Sequence, residues 1–280
     1  MVYAMDIELN VSLDPTLGCG QAHRWIKKGE KWEGVLFDDI ITLEQKDGYV
    51  ICEGTSDKKL ILEYLRYRDD LDSIYKDISQ DPFVRVLADA CPGLRILKQD
   101  PWECIATYVI ATNANVKRIA SMVDSVCRTF GTDLGGRFSF PSAEDVADRK
   151  HLISGCRLGY REKRFIELAE NVASGDIRID DLADMNYHDC SYALKKINGI
   201  GDKVADCISL FAFGHLNAFP IDARIKKILN ERYGIAGNYR VLSEFAEERF
   251  GQYAGYAQEL LYHGDIILGS QAHAGGSQPI

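Results

Sequence analysis

Residues 5–13, Met5-Asp-Ile-Glu-Leu-Asn-Val-Ser-Leu13, alternate strictly, with Ile7, Leu9, Val11 and Leu13 on one side and Asp6, Glu8, Asn10 and Ser12 on the other. A period of two marks a half-buried strand. The run leads into Thr16-Leu-Gly-Cys-Gly-Gln-Ala-His-Arg-Trp25, where Gly18 and Gly20 allow another group to approach the backbone closely. Leu36–Glu44 and Tyr49–Glu53 read as further strands around Asp47-Gly48, a two-residue hairpin signal. Residues 1–65 are therefore expected to form an antiparallel β-sheet domain.

From about Lys58 the apolar spacing becomes helical and stays so to about Leu268. Asp100-Pro101 places a cap before a proline at the first helical position and opens a helix with Trp102, Ile105, Ala106 and Val109 on one side. After Asn113-Ala-Asn115, the segment 116–130 carries Ile119, Met122, Val123, Val126 and Phe130 as an apolar stripe, and Gly131 ends it. Pro141-Ser142 starts a short helix, and Tyr160–Ala173 is another with a basic first turn. Leu182–Phe213 holds two helices joined by Asn198-Gly-Ile-Gly201, and Asn238–Phe250 and Gln252–Leu268 add two more. The expected fold class is α+β, with residues 66–268 helical, a helix-hairpin-helix at about 188–213 and a flexible tail over 269–280. No internal repeat is present.

Composition narrows the class. Apolar residues are 46% and charged ones 27%, as in a soluble globular protein. No apolar run approaches the roughly 20 residues of a membrane span, and the N-terminus lacks a basic region followed by an apolar one, so an intracellular protein without a membrane partner is expected. The eight cysteines are scattered, with no C-x-x-C pair, which argues against a zinc ribbon or an iron–sulfur cluster and for small buried hydrophobes. A net charge of −9 counts against nucleic-acid binding through a broad basic face. It leaves room for a local site, because Asn186–Arg240 holds eight basic residues against five acidic ones.

That basic stretch also carries the candidate chemistry. In Ile197-Asn-Gly-Ile-Gly-Asp-Lys-Val-Ala205, Gly199 and Gly201 let the chain turn tightly while Ile197 and Ile200 pack inward. The helix that follows presents free N–H groups able to hold a phosphate oxygen without any side-chain charge. A plain helical hairpin with a glycine cap accounts for the same glycines. Asp222, after Phe219-Pro-Ile and before an apolar-periodic run, reads as an N-cap accepting from Arg224 or Ile225. Lys203 and Asp222 are separated by little more than one helix and a loop, so they can face one cleft.

The pattern resembles the helix-hairpin-helix, Gly/Pro-rich loop and aspartate of the DNA glycosylase superfamily, and within it the 8-oxoguanine DNA glycosylase/AP lyase family. The resemblance covers about Leu9 to Leu268 in family order. It rests on Gly20-Gln21, Arg24-Trp25, Trp32-x-Gly34-Val35-Leu36, Gln99-Asp100-Pro101-x-Glu103-Cys104 and Asn113-x-Asn115. Leu158-Gly-Tyr-Arg161, Gly201-x-Lys-Val-Ala-Asp-Cys207, Pro220-x-Asp222 and Tyr253-Ala-Gly-x-Ala-Gln258 complete it. It implies a sheet domain followed by an all-helical array of two lobes, with the active site between the lobes.

The resemblance implies that Lys203 attacks the deoxyribose C1′ and leaves an imine to the sugar, which permits β-elimination of the 3′ phosphate. Only a free amine attacks, so a lowered lysine pKa is expected from the helix N-terminus and from burial. Asp222 is implied to stabilise the cationic sugar. Gly20, Gln258, Cys207 and Tyr262 are implied to read and sandwich a flipped oxidised guanine, although core packing alone accounts for Cys207 or Tyr262 taken singly. Asn113, Arg118 and Arg161 match residues that hold the orphaned cytosine, and Tyr160 the wedge that fills the stack; phosphate contact or a solvated face is the plainer reading of Arg161. Gly199, Gly201, Lys203, Val204 and Arg224 are implied to meet the DNA backbone.

No catalytic metal or cofactor is implied, beyond a monovalent or divalent cation at the hairpin carbonyls when DNA is bound. The implied partner is double-stranded DNA containing oxidised guanine, met by a monomer. The chain departs from the family pattern at Ala114, in the middle of the asparagine triplet, at Arg224 where the vertebrate form has histidine, at Tyr262 in place of phenylalanine, and at His23 in place of an aromatic. Asp265 is a candidate partner for Arg224. Glycosylases for adenine mispairs or oxidised pyrimidines usually carry a C-terminal four-cysteine cluster, and no cysteine follows Cys207. A non-catalytic helix-hairpin-helix module would explain the glycines, but not Lys203, Asp222 and Gln258 together.

Overall fold

The computed structural model describes residues 4–274, with side chains described as far as Gly264. Strands β1 (Ala4–Glu8), β2 (Ile26–Lys28), β3 (Lys31–Leu36), β4 (Asp39–Lys46) and β5 (Tyr49–Glu53) form one antiparallel sheet in the order β1-β5-β4-β3-β2. Asp47 and Gly48 both take positive φ, 51° and 83°, and close the β4–β5 hairpin at the pair Lys46 and Tyr49. This is the expected two-residue turn.

Two strand expectations change. The alternation from Met5 to Leu13 continues as burial, with Ile7, Val11 and Leu13 all inside, but strand pairing stops at Glu8 and Leu13 opens helix α1 (Leu13–Gly18). Ser12 donates its N–H to the Gly93 carbonyl at 2.7 Å instead of to a strand. Alternation reports which side faces the core; it does not require a ladder. The single strand expected over Leu36–Glu44 is broken at Phe37, whose φ of 52° reverses β3 into β4 without a glycine to signal the turn.

The remaining helices are α2 (Lys58–Tyr64), α3 (Leu71–Ile78), α4 (Pro82–Ala90), α5 (Pro101–Ala111), α6 (Val116–Phe130), α7 (Ala143–Asp148) and α8 (Glu162–Ala173). They are followed by α9 (Ile179–Ala183), α10 (Tyr187–Leu194), α11 (Asp202–Phe211), α12 (Ala223–Tyr233), α13 (Tyr239–Phe250) and α14 (Ala254–Ala274). Asp57, Asp70, Asp81, Asp100 and Asp222 each accept a backbone N–H at the start of a helix. Part of the acidic charge is therefore spent on caps rather than presented as a repelling face. The apolar stripe of α6 is buried along its whole length. The tail expected from residue 269 is helical through Ala274, because Gly269 and Ser270 are too weak to stop a helix that Gln271, Ala272 and Ala274 favour; residues 275–280 lie outside the described residues. No described helix is long and apolar enough to cross a membrane.

One core lies between the sheet, α1 and α2, built on Ile7, Leu13, Leu17, Ile41, Leu43, Val50, Ile61 and Leu65. A larger one runs through the helices from Leu71 to Leu261. The extended segment 93–99 stitches the two together. Within it Arg95 donates to the Asn10 carbonyl at 2.7 Å, Lys98 N–H to the Tyr64 carbonyl at 2.8 Å and Gln99 N–H to the Phe211 carbonyl at 2.8 Å.

Trp25 closes the sheet core. Its Nε1 donates to the Tyr64 hydroxyl at 2.7 Å, and its ring lies directly on Gly34, where an added Cβ would come within 2.5 Å of ring carbons. A Gly34→Ala substitution is expected to push the indole off its site and cost about 1–3 kcal/mol. Urea denaturation followed by tryptophan fluorescence should show the drop in midpoint; an unchanged midpoint would contradict this packing.

Candidate active site

The hairpin is built from α10, capped by Asn186, a turn over 195–200, and α11. Gly199 has φ of 95°, a conformation that calls for glycine, and the Arg164 side chain lies against it. Ile200 is buried and Ile197 packs against the helical core, as the spacing implied. Gly201 caps α11 with no side chain, which leaves the first N–H groups of the helix uncapped beside an exposed turn. Lys203 sits in this first turn, its Nζ 5.3 Å from the centre of the Tyr108 ring.

Six of the expected residues line one cavity of about 260 Å³: Gly20, Lys203, Cys207, Asp222, Gln258 and Tyr262. They come from the loop after α1, from α11, from the α12 cap and from α14. Asp222 accepts the Ile225 N–H at 2.9 Å, which settles the choice between the two amides it could have capped. Arg224 stands at the rim, its guanidinium 5.2 Å from the Tyr262 ring centre and its Nη1 donating to the Tyr262 carbonyl at 3.2 Å. The side chain of its candidate partner Asp265 lies outside the described residues.

Asn113, Arg118, Tyr160 and Arg161 do not line that cavity. They gather beside it, joined through Ala114, Asn115, Val116 and Ile119, which do. Arg161 is buried and donates through Nε to the Thr112 carbonyl at 2.8 Å, through Nη1 to Leu158 at 3.3 Å, and through Nη2 to Asn113 at 3.2 Å. Tyr160 is 54% exposed, lies 4.5 Å from the Arg161 guanidinium, and bonds Thr112 O and Asn113 Nδ2 at 3.0 and 3.2 Å. Arg118 donates to the Arg157 carbonyl at 2.7 Å.

The electrostatics of the cavity correct one expectation. Lys203 has its pKa raised rather than lowered: the Cys207 sulfur is the largest cause, burial opposes it, and Asp222 adds to it. The charge and hydrogen-bond interactions with Cys207, with the Asp222 carboxylate beside them, outweigh burial, so the free protein holds an ammonium. Burial pushes the Cys207 thiol up to about 11, with Lys203 opposing, so at neutral pH it is a thiol. Burial also pushes Glu259 up to about 7, while Cys19 and Lys203 lower it. Burial and the Lys203 charge bring His23 down to about 4. Three buried atoms among the residues lining this cavity lack a hydrogen-bond partner: Gln258 Oε1, Glu259 Oε2 and His23 Nδ1.

Tyr108, Phe211 and Glu259, absent from the residues expected at the site, also line the cavity. Tyr108 and Phe211 stack at 6.0 Å and an interplanar angle of 9°, forming a flat aromatic floor. Neither had a signal, since aromatics on apolar helix faces are ordinary core residues. Glu259 did have one. It is a lone charge between Tyr256, Ala257, Leu260 and Leu261, all fully buried.

The N-terminal domain model of 8-oxoguanine DNA glycosylase matches residues 5–105. The N-glycosylase/DNA lyase OGG1 of Arabidopsis thaliana is 29% identical over 301 residues, covering 96% of this chain and 81% of the relative. The N-glycosylase/DNA lyase of Saccharomyces cerevisiae is 26% identical, covering 89% and 82%. A solved structure of MBOgg1 in complex with a low-affinity DNA ligand superposes with a TM-score of 0.90 at 26% identity, covering 96% of this chain and 99% of that one. In sequence and fold the chain is similar to the 8-oxoguanine DNA glycosylases over nearly its whole length.

His23 offers a direct test of how dry the cavity wall is. Its ring ionises near the ordinary 6.5 when unfolded and at about 4 when folded. Between those values the unfolded chain binds the extra proton, so stability is full above 6.5 and declines as pH falls toward 4. In His23→Phe that part of the acid limb should vanish from melting temperatures measured between pH 7 and 4. A limb of unchanged steepness would show that the ring is wet.

Proposed function

We propose that this protein is a bifunctional DNA N-glycosylase and DNA lyase that flips 8-oxoguanine out of duplex DNA and excises it, acting as a monomer inside the cell. The observation that carries this reading is the convergence of Lys203 and Asp222 with Gly20, Cys207, Gln258 and Tyr262 in one cavity of a chain similar to 8-oxoguanine DNA glycosylases. Binding to DNA needs no broad basic face, since the uncapped start of α11 offers N–H groups to a phosphate at one point.

Lys203 is assigned as the nucleophile. Its amine forms a bond to C1′ as the glycosidic bond breaks with its electron pair leaving on the base. Loss of one of the two N–H protons, followed by ring opening in which the C1′–O4′ bond breaks and O4′ takes up a proton, gives a protonated imine that keeps the other N–H. Withdrawal of a C2′ proton then expels the 3′ phosphate, which is the lyase step. Asp222 is assigned to stabilise the positive charge that grows on the sugar, with one oxygen on the Ile225 N–H and the other left for the field. Gly20 and Gln258 are assigned to the edges of the flipped base, where the unpaired Gln258 Oε1 finds a donor, and Cys207 and Tyr262 to its faces.

Opposite the gap, Asn113, Arg118 and Arg161 are assigned to cytosine and Tyr160 to the vacated stack. Backbone carbonyls take all but one of the Arg161 N–H donors, which leaves one on Nη1 for a base and gives Arg118 and Asn113 the rest of the readout.

Borohydride should trap the protein covalently on a duplex containing 8-oxoguanine, and Lys203→Gln should abolish the adduct. An adduct retained by that variant would end the assignment. Asp222→Asn keeps a capping side chain, so its fold should hold while single-turnover excision falls by about 10² or more. In a panel with each of the four bases opposite the lesion, cytosine should be preferred by about 10- to 100-fold. Arg161→Ala should flatten that preference; a flat wild-type profile would remove the opposite-base assignment.

A further inference from the structure

Glu259 lines the reaction cavity but has no part in the chemistry above. It is 5% exposed, and its neighbours Tyr256, Ala257, Leu260 and Leu261 leave it no route to solvent along α14. The Cys19 side chain, a weak hydrogen-bonding partner, meets the carboxyl, while Oε2 has no partner at all. A buried carboxyl with an orphaned oxygen is costly wherever it serves only to pack. Glu259 lines the same cavity as the one group that has to lose a proton before the proposed reaction begins. Lys203 is held as an ammonium, and an ammonium has no lone pair with which to attack C1′.

We propose that Glu259 takes the proton from Lys203 when a flipped base enters the cavity, and thereby sets the pH at which the protein becomes able to react. This rests on Lys203 being the nucleophile. In the transfer one Nζ–H bond breaks with its electron pair staying on nitrogen, and an O–H bond forms on the carboxylate. Ammonium and carboxylate become amine and acid with no change in total charge, and the new lone pair is the one that bonds C1′. A base filling the cavity displaces water, which disfavours both charged forms: it lowers the lysine and raises the carboxyl further. Entry of substrate therefore shifts the balance toward the neutral pair.

The surroundings leave few rivals for the role. From α11, Lys203 and Cys207 face the carboxyl; from the α12 cap, Asp222; from α5, Tyr108; from the loop after α1, Cys19 and His23; from α14 itself, Tyr262. Burial holds the Cys19, Cys207, Tyr108 and Tyr262 protons in place near neutrality, with the Asp222 and Glu259 charges acting in the same sense on Tyr262, and His23 is neutral there. The free oxygen of Asp222 is already assigned to the charge that grows on the sugar, whereas the unpartnered oxygen of Glu259 has no other task.

The test is single-turnover excision of 8-oxoguanine opposite cytosine between pH 5.5 and 9 for the full-length protein, Glu259→Gln and Lys203→Gln, with borohydride trapping in parallel. The wild-type rate should climb through about pH 7 and level off, following Glu259. Glu259→Gln should lose that rise and run about 10² or more slower at neutral pH, while binding a duplex with a stable abasic analogue as wild type does. The same rise at the same rate in Glu259→Gln overturns the proposal. If instead Lys203→Gln is still trapped, it is the nucleophile assignment that has failed.

Melting temperatures separate a folding defect from a chemical one. A carboxyl that ionises near 4.5 unfolded and at about 7 folded lowers stability as pH rises across that window. Glu259→Gln should therefore melt higher than wild type above pH 7 and lose the difference near pH 4.5. A variant no more stable than wild type at high pH would show that the carboxyl is not held in a dry site, and would also overturn the proposal.

Discussion

The Gln21 side chain joins the two halves of the molecule. Its Nε2 donates to the Thr16 carbonyl at 2.8 Å and to the Arg95 carbonyl at 2.9 Å, and its Oε1 accepts the Leu97 N–H at 2.8 Å. Its own carbonyl accepts Gln99 Nε2 at 2.6 Å. The amide is 2% exposed, so each bond is made where water cannot replace it, and losing one strands a buried polar group at a cost of about 1–3 kcal/mol. Gly20, the next residue back, thereby hangs at a fixed place over the cavity with φ of 97°, a conformation that a side chain would strain. The sheet domain takes part in the site through this one loop.

Arg24 secures the same loop from the other side. It pairs with Glu103 at 2.9 Å and donates to the Phe138 carbonyl, both largely out of water. Burial raises the Glu103 pKa even with Arg24 beside it. The pair therefore matters more for position than for stability: taking away either partner leaves the other charge buried and unpaired. Glu103 lies in the first turn of α5, whose cap is Asp100, and α5 also carries Tyr108 into the cavity floor. Loop, helix and floor are thus set by one connected group of buried polar contacts.

Inside the cavity the charges work against one another in a useful way. Cys207 and Asp222 favour the ammonium of Lys203, whereas the proposed reaction needs the amine. A site of this kind is quiet until water is excluded. The unpaired atoms of Gln258, Glu259 and His23 fit the same description, since each is a buried polar group awaiting a partner.

Much of this was legible in the chain. Caps, prolines and apolar stripes placed α5 and α6 closely, because those signals act within a few residues and need no tertiary partner. The turn at Asp47-Gly48 followed from backbone sterics alone, and Asp222 as a cap from the apolar run behind it. What lay beyond the sequence depended on groups far apart along it. The reversal at Phe37 puts positive φ on a residue that gives no sign of it, and the departure of the chain from the sheet after Glu8 brings the Ser12 N–H to the distant Gly93 carbonyl. The raised pKa of Lys203 could not be had from its place in a helix, because the sign is decided by Cys207 and Asp222 in the folded cavity. Local sterics and periodicity wrote the elements into the sequence; the protonation states, and with them the chemistry, were decided only when burial brought distant charges together.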